Sequence, residues 1–305
     1  MHDDGLAHLT PPGHPERAER LAAIKAALGP LGLPQGACPM GSAEDVLRAH
    51  SAALLTRVMQ PVAPGRRVVL DGDTVLSPGS GAAAMRAVGM ACAAVDGVMA
   101  AGGRAFVAAR PPGHHAERGQ AMGFCLLNTI AIAALRALAV HGLARVAVLD
   151  FDVHHGNGTQ DILWDEPRVR FISSHQMPHY PGTGAPGERG AHGQITNLPL
   201  RAGTGGEAMR AVWGPALADL ARWQPELVLV SAGFDAHSDD PLGGLDWQEE
   251  DFRWLTATIC DLANASCAGR VVSCLEGGYD LGALAASVVA HVEELGDPAR
   301  GKAEA

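Results

Sequence analysis

Five short runs in this chain are almost continuously apolar, and each ends in a cluster of polar residues. They are residues 104–110 (RAFVAAR), 145–152 (RVAVLDFD), 168–174 (RVRFISS), 226–235 (ELVLVSAGFD) and 270–278 (RVVSCLEGG). A strand that is apolar on both faces has to be covered on both faces, which is the signature of a parallel sheet between helix layers. The intervening segments have helical patterns near 79–101, 125–141, 205–223, 248–267 and 281–295. Two more helices are expected before the first strand: 14–28, with Pro15 near its first turn, and 42–59, with Ser42 as N-cap. The prediction is an α/β chain with a central, mostly parallel sheet and helices on both sides.

With 305 residues, 47% hydrophobic and 18% charged, the chain can bury a large core. No repeat or composition break divides it, so residues 1–305 are read as a single domain with a tail that frays after about 296. The Gly- and Pro-rich stretch 174–204 reads as a long functional loop. A formal charge of −10 argues against nucleic acid as the main partner. The apolar stretches 81–101 and 121–140 are interrupted by Arg86, Asp96, Asn128 and Arg136, so they read as buried helices and no membrane is expected. The first residues lack the basic and apolar regions of a signal peptide. Six scattered cysteines without a CxxC pair fit a reducing, cytoplasmic setting. Self-association is left open.

The chemistry lies at the strand exits. In an open α/β sheet, ligands bind at the carboxyl ends of the strands. Strand 145–152 delivers Asp150, Asp152, His154 and His155; strand 226–235 delivers Asp235. Alone, Asp152 would be a turn carboxylate and His154 a core histidine. In extended backbone, however, residues two apart point the same way. With Asp235 they make two carboxylates and an imidazole, a three-ligand metal site with room for water. His114 and His115 follow Pro111 and Pro112, which stiffen the loop and suit a base beside a metal. The GTGGE stretch at 203–207 lacks the lysine and spacing of a phosphate loop. No catalytic role is expected for His2, His8, His50, His141, His192 or His291.

Eight blocks occur in one order: GHPERAERL (13–21), SPGS (77–80), RPPGHHA (110–116), GFCLLN (123–128), DFDVHHGNGTQ (150–160), YPGTG (180–184), SAGFDAHSDDPLGG (231–244) and LEGGYDL (275–281). Together they resemble the histone deacetylase family, nearest its class II-like bacterial amidohydrolases. The resemblance implies the arginase–deacetylase fold and a zinc amidohydrolase acting on a peptide or small-molecule N-acyl amine. By that resemblance Asp152, His154 and Asp235 would ligate zinc. His114 and His115 would flank the attacking water, Asp150 would orient His114, Asn157 would partner His115, and Tyr279 would polarise the acyl carbonyl. Gly123, Phe124 and Tyr180 would line an acyl tunnel with Leu242 at its mouth, and Asp73 would hold the substrate amide. A potassium ion is implied at Asp150, Asp152, His154, Ser173 and Ser174, partly through carbonyl oxygens.

Two departures stand out. Asn157 replaces the aspartate of many class I members and should favour a charged His115 less. The chain also starts close to its HPER block, without the strand that usually precedes it, so either the start is late or the sheet is shortened at that point. Arginase-like manganese enzymes share the fold but need a carboxylate two residues after the ligating histidine, where this chain has Gly156. The third reading is a metal-dependent acyl-lysine binder with little turnover; Tyr279, His114 and His115 argue against it. A neutral Leu242 favours acyl-lysine over an acetylated polyamine.

Overall fold

The computed structural model describes residues 1–297. The chain starts with a short 3-10 turn at Asp3–Ala7, then α1 (Glu19–Leu28), α2 (Ala43–Ala49) and α3 (Ala52–Val58). A two-stranded antiparallel hairpin follows, β1 (Val68–Val69) and β2 (Val75–Leu76). The rest alternates: α4 (Ser80–Ala101), β3 (Arg104–Val107), α5 (Thr129–Val140), β4 (Val146–Asp150), α6 (Asn157–Leu163), β5 (Val169–Gln176), β6 (Ile195–Leu200), α7 (Gly206–Trp223), β7 (Leu227–Ala232), α8 (Glu249–Cys267), β8 (Val271–Leu275) and α9 (Leu281–Gly296).

β3 to β8 form one six-stranded sheet in the order β3-β8-β7-β4-β5-β6. Every pair is parallel, with Asp150 of β4 level with Ser231 of β7 and Ser173 of β5. Alternate residues of each strand feed opposite layers, as the two-residue period of a strand requires. Val146, Val148 and Leu229 face a core built with α4 and α5. Ala147, Leu149 and Val230 face one built with Trp213 of α7, Phe252 of α8 and Val288 of α9. α4 is long and apolar enough to cross a membrane by length and composition, but Val88, Ala91, Val95 and Val98 pack into the first core.

From β4 the chain moves outward through β5 and β6, then returns to β7 on the other side of β4. The β4/β7 boundary is therefore the point where strand order reverses, and a crevice opens there at the carboxyl ends.

Several expectations change. The helix expected at 14–28 begins only at Glu19. Glu16 is needed elsewhere: its buried carboxylate pairs with Arg110 and, at 3.1 Å, with Arg20, which holds residues 14–17 in a turn. The helix expected at 42–59 is two helices. Ser42 caps the first as expected, and Ser51 caps the second by accepting from Leu54 N–H. Between them His50 is extended and buried, bonding Glu117 O at 2.9 Å and Asn128 N at 2.8 Å. The stretch 174–204 is not all loop: β6 adds an edge strand to β5, and an edge tolerates its Pro199. Among the described residues no strand precedes Val68. The tail expected to fray lies, beyond Asp297, outside the described residues.

Candidate active site

The loop after β4 and the loop after β7 meet at the strand-order reversal. Asp152, His154 and Asp235 are buried there, with one ligand atom from each lying within 4.8 Å of the others. The extended spacing expected for Asp152 and His154 is not what aligns them. β4 ends at Asp150, and residues 152–154 form a bend in which His154 N–H donates to Asp152 Oδ1 at 2.9 Å. Val153 N–H fixes Asp235 Oδ1 at 2.9 Å and Gly277 N–H fixes Asp152 Oδ2 at 2.8 Å. His154 Nδ1 sits 3.0 Å from Asp152 Oδ1 and 3.2 Å from Asp235 Oδ2.

These three residues fit a divalent cation. Asp235 Oδ2 is buried and accepts no hydrogen bond. Burial opposes charge on His154, yet the hydrogen bond to Asp152 and the charges of both carboxylates raise its pKa to about 10. Burial and the charge of Asp152 push Asp235 upward. Asp152 goes down, because His114 and His154 outweigh its burial. Without a metal the cluster thus holds a proton on the atom that a cation would take, and the two must compete. Gly156 answers the two-metal alternative: a Cβ there would run into Asp150 Oδ2, so a bridging carboxylate has no space.

His114 and His115 lie side by side, ring centroids 4.0 Å apart, with different partners. His114 Nδ1 bonds Asp150 Oδ2 at 3.0 Å; burial opposes its charge, but Asp152 and Asp150 raise its pKa well above normal. His115 Nδ1 bonds Asn157 Oδ1 at 2.7 Å. Asn157 Nδ2 donates to Glu117 Oε1 at 2.8 Å, so its oxygen must face His115 and accept from it. Nε2 of His115 is then the unprotonated nitrogen. Burial and the neighbouring charges of His114 and His154 hold its pKa well below normal.

A cavity of about 250 Å³ reaches the metal cluster. Its walls include all five expected substrate residues, Asp73, Gly123, Phe124, Tyr180 and Leu242, together with His115, His154 and Tyr279. Phe124 adopts a left-handed φ of 68°, its N–H accepted by Thr74 Oγ1 at 2.9 Å. The buried Tyr279 hydroxyl stays protonated, since burial and the charges of Asp235 and Asp152 raise its pKa well above normal.

The chain belongs to the histone deacetylase family. The family's domain, described as "Histone deacetylase domain", matches residues 14–295. The chain is 40% identical over 293 residues to the histone deacetylase-like amidohydrolase of Pseudomonas aeruginosa, covering 93% of this chain and 77% of that one. It is 38% identical over 300 residues to histone deacetylase 10, chloroplastic, of Oryza sativa subsp. japonica, covering 90% and 68%. The crystal structure of the HDA15 HD domain superposes with a TM-score of 0.90 at 33% identity, covering 97% of this chain and 87% of that one. This deacetylase-family chain is accordingly a hydrolase acting on amides.

Several residues of this histone deacetylase-family site had no role assigned from sequence. His179 lines the cavity, stacks on His154 at 4.9 Å and bonds Leu242 O through Nε2 at 2.9 Å. It precedes Tyr180 directly, inside the stretch read only as a loop. Glu117 fixes Asn157. Glu276 accepts from Gly113 N–H at 2.6 Å and His114 N–H at 3.1 Å, fastening the tandem-histidine loop to the end of β8. Arg20 donates to Gly278 O and Glu276 O, both at 2.6 Å, and its guanidinium lies 4.9 Å from the Tyr279 ring centroid. His155 turns away from the cavity to Thr183 and Gln160. Ser173 Oγ bonds His175 Nδ1 at 3.0 Å, and Ser174 Oγ accepts from Trp213 Nε1 at 3.0 Å.

Proposed function

We propose that the protein is a zinc-dependent amidohydrolase that removes an acetyl or short acyl group from an N-acyl amine, with acyl-lysine as the preferred class. The observation that carries this is one cavity lined by His154 of the two-carboxylate, one-imidazole cluster, by a histidine with a free Nε2 and by a protonated tyrosine. Bound by Asp152, His154 and Asp235, zinc supplies Lewis acidity toward an acyl oxygen and lowers the pKa of water. His115 takes the water proton at Nε2 and returns it to the departing amine. His114, held cationic by Asp150, stabilises negative charge without moving its proton. Tyr279 donates its O–H to the acyl oxygen as charge develops there, and the Arg20 clamp keeps its turn in place. Phe124, Tyr180 and Leu242 wall off water along the acyl chain.

Leu242 at the cavity supports acyl-lysine. Asp73, also on the wall, keeps acetylated polyamines as a second reading, because a carboxylate there can hold a distal amine. A potassium ion would be held at the ends of β4 and β5 by Asp150, Asp152, His154, Ser173 and Ser174, partly through their carbonyl oxygens. The six unpaired cysteines support a cytoplasmic setting.

Acetyl-lysine peptides, longer acyl-lysines and acetylpolyamines, offered to zinc-loaded and metal-free protein, test the proposal. Zinc-dependent release of acid from acyl-lysine supports it. Acetylpolyamine turnover without lysine turnover moves the substrate class. Binding of acyl-lysine with no hydrolysis overturns the enzymatic reading, and two metal ions per chain overturn the single-metal site.

A further inference from the structure

Asp240 is nearly fully buried, in the loop between β7 and α8, and none of its hydrogen bonds goes to a cation. A buried carboxylate is costly unless its oxygens are satisfied. Here the partners are backbone N–H groups of two separate segments. Oδ1 accepts from Leu242 N–H at 2.9 Å. Oδ2 accepts from Tyr279 N–H at 2.6 Å and, more distantly, from Asp280 N–H at 3.4 Å. Leu242 borders the cavity mouth, and its carbonyl is held from the other side by His179. The turn carrying Tyr279 has its carbonyls gripped by Arg20. Its N–H groups are gripped by Asp240.

We propose that Asp240 is a positioning residue for the reaction: by bridging the Leu242 lip and the Tyr279 turn, it sets the height of the Tyr279 hydroxyl over the bound acyl group. This rests on the amidohydrolase reading. Backbone amides donate and cannot turn round to accept. Both oxygens of Asp240 must therefore act as acceptors, which a carboxylate supplies and an amide does not. In Asp240→Asn one oxygen becomes an NH₂ group facing an N–H, so either the lip or the tyrosine turn has to move away.

The test is a double-mutant cycle of D240N with Y279F on zinc-loaded full-length protein, with metal content measured for all four forms. In the wild-type background D240N should lower kcat by about 10–100-fold, the range for losing a partner that orients an active-site group, while zinc content stays unchanged. In the Y279F background, with the hydroxyl gone, D240N should cost less than about 3-fold, well below additivity. Equal losses in both backgrounds would make Asp240 merely structural and overturn the proposal, as would wild-type turnover in D240N. If D240N does not fold, D240E replaces it in the cycle: it keeps two acceptor oxygens but one methylene further along, and the same non-additivity is required. A wild-type protein with no hydrolysis of any acyl amide would instead sink the function on which the proposal stands.

Discussion

Gly277→Ala tests the metal cluster without touching a ligand. Gly277 packs against both carboxylates, and its N–H donates to Asp152 Oδ2 at 2.8 Å. A Cβ at this position would stand 2.6 Å from Asp152 Oδ2 and closer still to Asp235 Oδ2. Ordinary contact needs about 3.5 Å, so the Asp152 carboxylate has to retreat by about 1 Å and that of Asp235 by more. Metal–ligand distances tolerate about 0.2 Å. The displacement is several times that allowance, and at least one of three ligands is lost. Disturbing only an outer partner already costs 10–100-fold in affinity, so a loss of about 100-fold or more is expected, equal to about 2.7 kcal/mol of metal-linked stability. For a chain of this size that is a zinc-induced rise in Tm smaller by about 5 °C. The assay compares melting with and without zinc, and zinc content after dialysis against a competing chelator, in G277A and wild type. The difference between zinc-loaded and zinc-free melting isolates the metal term from any general cost of the added methyl. Wild-type zinc retention and an undiminished zinc-induced Tm rise would refute the placing of the two carboxylates around one ion.

Tyr279→Phe should lower kcat by about 100–1,000-fold, the cost of one oxyanion donor, with zinc content unchanged; steady-state kinetics with metal analysis checks this. Asn157→Asp combined with E117Q, which keeps a hydrogen bond to the new side chain, places a carboxylate against His115 Nδ1. It should raise the His115 pKa, so the acidic limb of the kcat/KM profile moves to higher pH and activity in acid falls. Stability should also fall in acid. Burial lowers the pKa of His8 to about 4, of His50 to about 4 and of His291 to about 3, each below the unfolded value of 6.5. The unfolded chain therefore takes these protons first. The stability they represent, about 3 kcal/mol or more each, is complete above pH 6.5 and is lost as pH falls toward the folded values. Glu16 follows at lower pH. Against its burial, Arg110 and Arg20 hold it at about 2, so its contribution is complete above about 4.5 and disappears below. Urea melts from pH 4 to 7.5 should show the histidine window as a steep loss of stability on acidification.

β4, β7 and β8 were legible because both their faces are buried: the middle of a parallel sheet between two helix layers leaves little room for polar residues to blur the pattern. β6 was hidden for the opposite reason. As an edge strand with Thr196 exposed and Pro199 inside, ITNLPL has little of that continuity. The break at His50 and the late start of α1 were unreadable locally, since each is imposed by a long-range partner, Asn128 and Glu117 for His50 and Arg110 for Glu16. The same division holds at the site. Asp152, His154 and Asp235 announce themselves by residue type at strand ends. Asp240, Glu117 and His179 matter through backbone atoms, other side chains or ring stacking that only the folded chain brings near, and nothing in the local sequence distinguishes Asp240 from its exposed neighbour Asp239.

The tandem histidines show how much this matters for mechanism. Residue type and spacing alone do not tell two adjacent histidines of one loop apart; only the resemblance assigned Asp150 to His114 and Asn157 to His115. Their Nδ1 partners separate them. His114 faces the carboxylate of Asp150, which stabilises imidazolium. His115 faces an amide whose own NH₂ is committed to Glu117, so the acceptor is neutral and one step removed from that charge. One ring is thereby kept charged and the charge of that ring discourages protonation of the other, 4.0 Å away. The asymmetry needs both halves. A carboxylate beside His115 would draw a second proton into the pair and remove the free Nε2. A neutral partner beside His114 would leave only Asp152, which the metal cluster already uses, and Glu276 to oppose the burial that lowers its own pKa.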